Sequence, residues 1–119
     1  MSTHKYLHDN RNDQILIYVN GEILHREKAK ISVFDSGFLL GDGVWEGIRF
    51  HNRHLVFIQE HLDRLFQGAS SLDIDIGISK DNIKSLIISV LNANRMVTDI
   101  HIRLIVSRGL KKTPYQHPN

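Results

Sequence analysis

The chain has 119 residues, 41% hydrophobic and 24% charged, an ordinary composition for one globular domain or part of one. Its 15 basic and 13 acidic residues leave a net charge of only +2 and form no run of like charges, so a polyanion-binding tail is not indicated. With no cysteine, disulfides, thiolate chemistry and cysteine metal sites are excluded, and no apolar run approaches the ~18 residues that would span a membrane. The polar start, MSTHKYLHDNRND, lacks the apolar core of a signal peptide, so a soluble cytoplasmic protein is expected.

Residues 1–13 are polar and without period, and are expected to form a mobile or loosely docked tail ahead of a domain over 14–119. Two apolar runs, Ile15-Leu16-Ile17-Tyr18-Val19 and Glu22-Ile23-Leu24, flank Asn20-Gly21. Both turn residues tolerate positive φ, so this segment reads as a hairpin. Ile31-Ser32-Val33-Phe34 is expected as a short extended piece leading into Asp35, and Gly37, Gly41 and Gly43 then follow in quick succession. Val44, Glu46, Ile48 and Phe50 alternate with Trp45, Gly47 and Arg49, which is the period of a strand. Asn52-Arg53 or a nearby pair is expected to turn the chain, and His54–Phe57 returns it.

From Ile58 the period becomes helical: Ile58, Leu62, Leu65, Phe66, Ala69 and Leu72 make one apolar stripe. Ser79 is a good N-cap for a second helix, whose stripe is Ile83, Leu86, Ile87, Val90 and Leu91 and which ends near Asn94. Ile100, Ile102, Leu104 and Val106 alternate with His101, Arg103 and Ile105 in a last strand, closed by Arg108-Gly109. The order implies an α+β fold, a mostly antiparallel sheet with two helices packed on one face. After Gly109 nothing closes the chain, which is expected to end inside an interdomain loop.

Few residue patterns carry chemistry on spacing alone. Gly41-Asp42-Gly43 lacks the Gly-Lys-Ser/Thr of a phosphate loop and precedes a strand rather than a helix, so its plain reading is a tight connection. Arg64 can pair with Glu60 one turn earlier, or serve as a fork-shaped donor to a phosphate or carboxylate. Arg103 sits mid-strand; it either faces solvent or, on a covered face, must pair with an anion. Trp45 fits either a core or a ligand wall. The histidines at 4, 8, 25, 51, 54, 61, 101 and 117 show no metal-ligand spacing, and no metal site is expected. Read this far, the chain is an anion-binding α+β domain.

Longer-range spacing adds a resemblance. It rests on Val19-Asn20-Gly21, on Asp35-x-Gly37-Phe38-x-x-Gly41-Asp42-Gly43-Val44-Trp45-Glu46-Gly47-Ile48-Arg49, on His61-Leu62-Asp63-Arg64-Leu65, and on Ile102-Arg103 ahead of Arg108-Gly109. From about Ile17 to Gly109 the sequence resembles the N-terminal, small domain of the class IV (fold type IV) pyridoxal-phosphate aminotransferases. That family includes branched-chain and D-amino-acid aminotransferases and aminodeoxychorismate lyase. The resemblance implies pyridoxal 5′-phosphate as cofactor, with Arg64 as ligand of its phosphate. It places Trp45, Arg103, His101 and Phe38 on the substrate side, Arg103 near the substrate carboxylate, and Glu46 and Arg49 behind them.

The same resemblance implies ping-pong exchange of an amino group between an amino acid and a 2-oxo acid in a homodimer, with the loop near Tyr115 reaching the partner's site. D-Amino-acid enzymes carry an Arg-x-His trap where a gapless reading puts Thr113-Pro114-Tyr115. Its absence, together with Arg103, favours a branched-chain-like L-amino-acid substrate over a D-amino-acid transaminase, while aminodeoxychorismate lyase, which shares the Gly41-Asp42-Gly43 segment and the phosphate arginine, stays an alternative. The Schiff-base lysine of the family is expected beyond Asn119, since Lys5, Lys28, Lys30, Lys80, Lys84, Lys111 and Lys112 do not match it, so the chain alone is expected to be inactive. From another class, a non-enzymatic nucleic-acid-binding domain would need the clustered basic residues that are missing.

Overall fold

A computed structural model describes residues 9–111. The first eight residues of the expected tail lie outside the described residues, as does the segment with Thr113, Pro114 and Tyr115. The chain divides into two compact units, Met1–Lys30 and Ile31–Asn119.

The first unit is built on the expected hairpin. Strands β1 (Leu16–Val19) and β2 (Glu22–His25) pair antiparallel, with Val19 opposite Glu22. The two turn residues have φ of 49° at Asn20 and 98° at Gly21, the left-handed pair that matches the twist of the flanking strands. Ahead of them Asn10–Asn12 forms a single 3-10 turn capped by Asp9. Arg26 donates to the Asn12 carbonyl at 2.6 Å, so the end of the expected tail is docked on its own hairpin.

The second unit holds α1 (Ser36–Leu40), β3 (Gly43–His51), β4 (His54–Leu55), α2 (Ile58–Ser71), α3 (Lys80–Ala93) and β5 (Ile100–Ser107). Its sheet has the order β4-β3-β5, antiparallel throughout, and β3 pairs with β5 from Gly43–Ser107 to Phe50–Ile100. Period-2 alternation turns Ile48 and Phe50 to one face, where they meet Leu62 and Leu65 of α2 and Ile83, Ile87 and Leu91 of α3. Both helices therefore cover the same face, as the alternating and helical periods imply. Ser79 caps α3 by accepting from the Asn82 amide at 3.1 Å, and Asn94 ends it. The Asn52-Arg53 turn has φ of 49° and 64°.

Three local expectations change. Val33 and Phe34 form a turn rather than an extended piece, and Asp35 makes only an isolated bridge to Leu110. Strand pairing after the turn stops at Leu55, because Phe57 adopts φ 54° and starts α2. The glycine-rich stretch, for which only a tight connection at Gly41-Asp42-Gly43 is expected, contains α1. Asp35 caps it by accepting from the Gly37 and Phe38 amides at 2.8 and 3.2 Å, and Gly41, at φ 68°, ends it. A helix this short has no stripe to betray it.

Gly43 is required by close approach. A Cβ there would lie 2.6 Å from the Val106 carbonyl oxygen, a rigid backbone atom of the neighbouring strand. Gly43→Ala is expected to prise β5 from β3 and to destabilise the domain by about 1–3 kcal/mol, read as a lower urea midpoint with an unchanged slope.

Candidate active site

The alternation of β3 sends adjacent residues to opposite faces, and two groups of polar side chains result. Glu46 points with Ile48 and Phe50 toward the helices, and only 7% of its side chain is exposed. A carboxylate on such a face is costly unless fully bonded. Its partners come from α2, where His61 and Arg64, three residues apart, share one face. Arg64 donates through Nε at 2.9 Å to Oε2 and through Nη2 at 2.6 Å to Oε1, and His61 Nδ1 lies 2.7 Å from Oε1. A carboxylate only accepts, so the proton sits on His61 Nδ1.

The bond from Arg64 holds the Glu46 carboxyl below its ordinary range, against the opposing effect of burial and with help from His61. The same bond raises Arg64, which stays a cation. Arg64 therefore does not choose Glu60, because the buried carboxylate has the greater need of a partner. Even so, 69% of the Arg64 side chain is exposed. Glu46 uses its Nε–H and one Nη2–H, and the Nη1 edge with its parallel donors points elsewhere.

The other face of the same strands carries Trp45, Gly47 and Arg49 opposite Ile105, Arg103 and His101. The Arg103 guanidinium carbon lies 4.1 Å from the Trp45 ring centroid, a cation–π stack worth about 0.5–1 kcal/mol at an exposed site. His101 lies over Gly47, where an added Cβ would meet its ring at 2.9 Å. Trp45 is 58% exposed, so it is no core residue, and Arg103 is on an open face rather than a covered one. Trp45, His101 and Arg103 are thus brought together. Phe38 is presented to solvent by α1, and Arg64 lies on the helix side of the sheet.

A frame fixes the α1 end of β3. Asp35 Oδ1 accepts from the Ser107 hydroxyl at 2.8 Å, and Ser107 Oγ in turn accepts from the Gly37 and Gly109 amides at 3.1 and 3.0 Å. Arg108 pairs with Asp42 and donates to the Leu72 and Asp73 carbonyls at the end of α2. Arg108 therefore staples the glycine-rich turn to α2, while its amide donates to the Asp42 carbonyl at 3.1 Å. The bonding of Glu46, His61, Ser107 and Arg108 was not anticipated. For Glu46 a signal existed: it alternates in step with Val44, Ile48 and Phe50, and a carboxylate on that face needs a partner.

The model of the family described as amino-transferase class IV matches residues 43–119. The chain belongs to the class IV aminotransferases. A Methanocaldococcus jannaschii protein with a provisional name of branched-chain-amino-acid aminotransferase is 44% identical over 94 residues, 79% of this chain and 32% of its own length. Branched-chain-amino-acid aminotransferase-like protein 1 of Arabidopsis thaliana is 43% identical over 107 residues, 90% of this chain and 19% of its own length. The D-alanine aminotransferase of Listeria monocytogenes serotype 4b is 33% identical over 101 residues, 85% of this chain and 34% of its own length.

Among solved structures, a T.th. branched-chain amino acid aminotransferase complexed with N-(5′-phosphopyridoxyl)-L-glutamate superposes with a TM-score of 0.74 at 27% identity, over 82% of this chain and 34% of that one. The Escherichia coli branched-chain enzyme gives 0.73 at 28% identity, over 81% of this chain and 34% of that one. The fold is that of the fold type IV aminotransferases. This chain spans about a fifth to a third of the length of these relatives.

The lowered Glu46 carboxyl makes acid stability a test of the buried cluster. A depressed folded value contributes stability that is present above the ordinary carboxylate range and lost as pH falls through the folded value. Stability is therefore expected to fall below about pH 4.5, with the component due to Glu46 absent in Glu46→Gln. The measurement is chemical unfolding from pH 7 to pH 3 on both proteins.

Proposed function

We propose that this chain forms the non-lysine side of a pyridoxal-phosphate transaminase site, with Arg64 holding the cofactor phosphate and the Trp45–Arg103 face holding the amino acid. The observation that carries the reading is Arg64 itself. It is a permanent cation, anchored at one edge, with the other donors of its planar fork exposed and suited to a phosphate dianion. It stands at the arginine of His61-Leu62-Asp63-Arg64-Leu65 in a chain of the family.

In this reading Trp45 and His101 wall the substrate side chain, and Phe38 borders it. Arg103 pairs with a carboxylate of the amino acid or 2-oxo acid. Gly47, without a Cβ, makes room for the His101 ring to lie against the strand, which sets the place of that wall. The bound cofactor supplies the electron sink; the chain's residues hold its phosphate, orient the substrate and fix its carboxylate. Arg103, the missing Arg-x-His and the branched-chain names of two relatives favour a branched-chain-like L-amino acid. The lysine that carries the cofactor belongs to sequence beyond Asn119, in a second domain that this small domain precedes. A cytoplasmic homodimer, with the loop near Tyr115 at the partner's site, completes the proposal. The absence of cysteine and the exposed apolar side chains of Phe38, Leu40, Ile105 and Leu110 support it.

Borohydride reduction of the intact protein followed by peptide mapping is expected to find the pyridoxyl-lysine outside residues 1–119. A pyridoxyl group on any lysine within them would overturn the proposal. In the same protein Arg64→Ala is expected to weaken cofactor retention far more than Arg49→Ala, and equal cofactor dissociation constants for the two would remove the phosphate role.

A further inference from the structure

Arg64 projects from the exposed shoulder of α2 on a long stem, and such a side chain unsupported samples many rotamers. A phosphate-binding arginine free to do so must be ordered at the moment of binding, which weakens the complex. Here the ordering is done in advance. Glu46 grips Nε and Nη2 together, fixing both the position and the plane of the guanidinium. Glu46 is fixed in its turn, because it stands on β3 between Trp45 and Gly47, with β5 hydrogen-bonded alongside. His61 Nδ1 takes part of the load on Oε1, so the carboxylate is held from the same helix that carries Arg64.

We infer that Glu46 is a positioning residue for the cofactor phosphate: it clamps one edge of Arg64 so that the opposite edge is presented ready-made. The inference rests on the phosphate role proposed for Arg64 and extends it. Three features set this clamp apart from an ordinary structural ion pair. The carboxylate occupies a position where its neighbours on the same face, Val44, Ile48 and Phe50, are apolar, so an apolar residue would fit at no cost in desolvation. Its bonds go to an exposed arginine, so the pair does not merely hide a charge. It engages the Nε edge, leaving Nη1 and the second Nη2 proton, the donors that meet a phosphate in parallel.

The clamp also couples the two faces of the site. Glu46 and Trp45 are consecutive, so one backbone segment sets the place of the arginine assigned to the phosphate and of the ring beneath the arginine assigned to the substrate. A shift of β3 relative to α2 would disturb both, and the Asp35–Ser107 and Arg108–Asp42 contacts hold that end of the strand still.

The test compares equilibrium binding of pyridoxal 5′-phosphate and of pyridoxal, which lacks the phosphate, to the apo form of the intact protein. Glu46→Gln keeps the shape and an acceptor for His61 but loses the charge and one bond to Arg64. It is expected to cut the preference for the phosphorylated form about tenfold, with pyridoxal binding held near its original value. Glu46→Asp keeps the buried charge but draws it back by about 1.5 Å; it is expected to show the same loss and covers the case in which the glutamine variant fails to fold. Arg64→Ala separates the two claims. If it leaves the preference intact, the phosphate role itself fails. If it abolishes the preference while Glu46→Gln and Glu46→Asp leave it unchanged, the phosphate role stands and the positioning role of Glu46 is overturned.

Discussion

A carboxylate buried on the apolar face of a strand constrains everything near it. Glu46 cannot be left without donors, since only 7% of its side chain is exposed. The donors must come from the element packed above, so α2 has to present His61 and Arg64 to that one position. Rotation of α2 by one residue about its axis, roughly 100°, would bring Leu62 or Leu65 to the carboxylate and expose the apolar stripe. The polar cluster and the core of Leu62, Leu65 and Ile48 therefore enforce the same register from two directions, one by the penalty for an unmet charge and the other by burial.

The strand that carries Glu46 divides the site. Even-numbered positions of β3 face the helices and odd-numbered ones face outward, because the side-chain period of a strand is 2. Pairing with β5 then decides which residues of the second strand join each group. The register puts His101, Arg103 and Ile105 beside Arg49, Gly47 and Trp45, and a slip of one residue would replace them with Ile100, Ile102 and Leu104. Gly43 permits the close approach of the two strands at one end, where a Cβ would meet the Val106 carbonyl, and the pairing runs to Phe50 and Ile100 at the other. The placement of Arg103 over Trp45 is thus a consequence of the strand pairing, and only finally of the attraction between a cation and a ring.

Most of the architecture was legible because it rests on local period and turn chemistry. Asn20-Gly21, Ser79 and Asn94 act as the sequence implies, and the stripes of α2 and α3 bury Leu62, Leu65, Ile83 and Ile87 as spaced. What escaped depends on atoms far apart in sequence. α1 is too short for a period, and it is stabilised by Asp35 from within and by Ser107 from 70 residues away. Arg108 reads as the end of a strand and becomes a staple only because Asp42, Leu72 and Asp73 converge on it. At the site the separation is similar. Trp45 and Arg103 were legible as candidates, but their stacking needs the register, and the partner of Arg64 needed the fold to prefer Glu46 over the nearer Glu60. The roles assigned to Arg64, Arg103, His101 and Phe38 came from the resemblance; the fold brings Trp45, His101 and Arg103 together on one face of the sheet and sets Arg64 on the other.

The two arginines are supported in different ways, and the difference suits the ligands proposed for them. Arg64 rests on a carboxylate, which cancels most of its field at a distance and leaves attraction that is strong only through direct hydrogen bonds. A phosphate held there is selected by geometry, through the parallel donors of the free edge. Arg103 rests on an aromatic ring, which steadies the guanidinium but leaves its charge whole. In the role proposed for it, such a cation on an open face would draw a carboxylate from solution. The transaminase reading proposed for the chain asks for both behaviours, a cofactor kept through many turnovers and two acids that alternate. One strand supplies both supports here, from consecutive residues that point opposite ways.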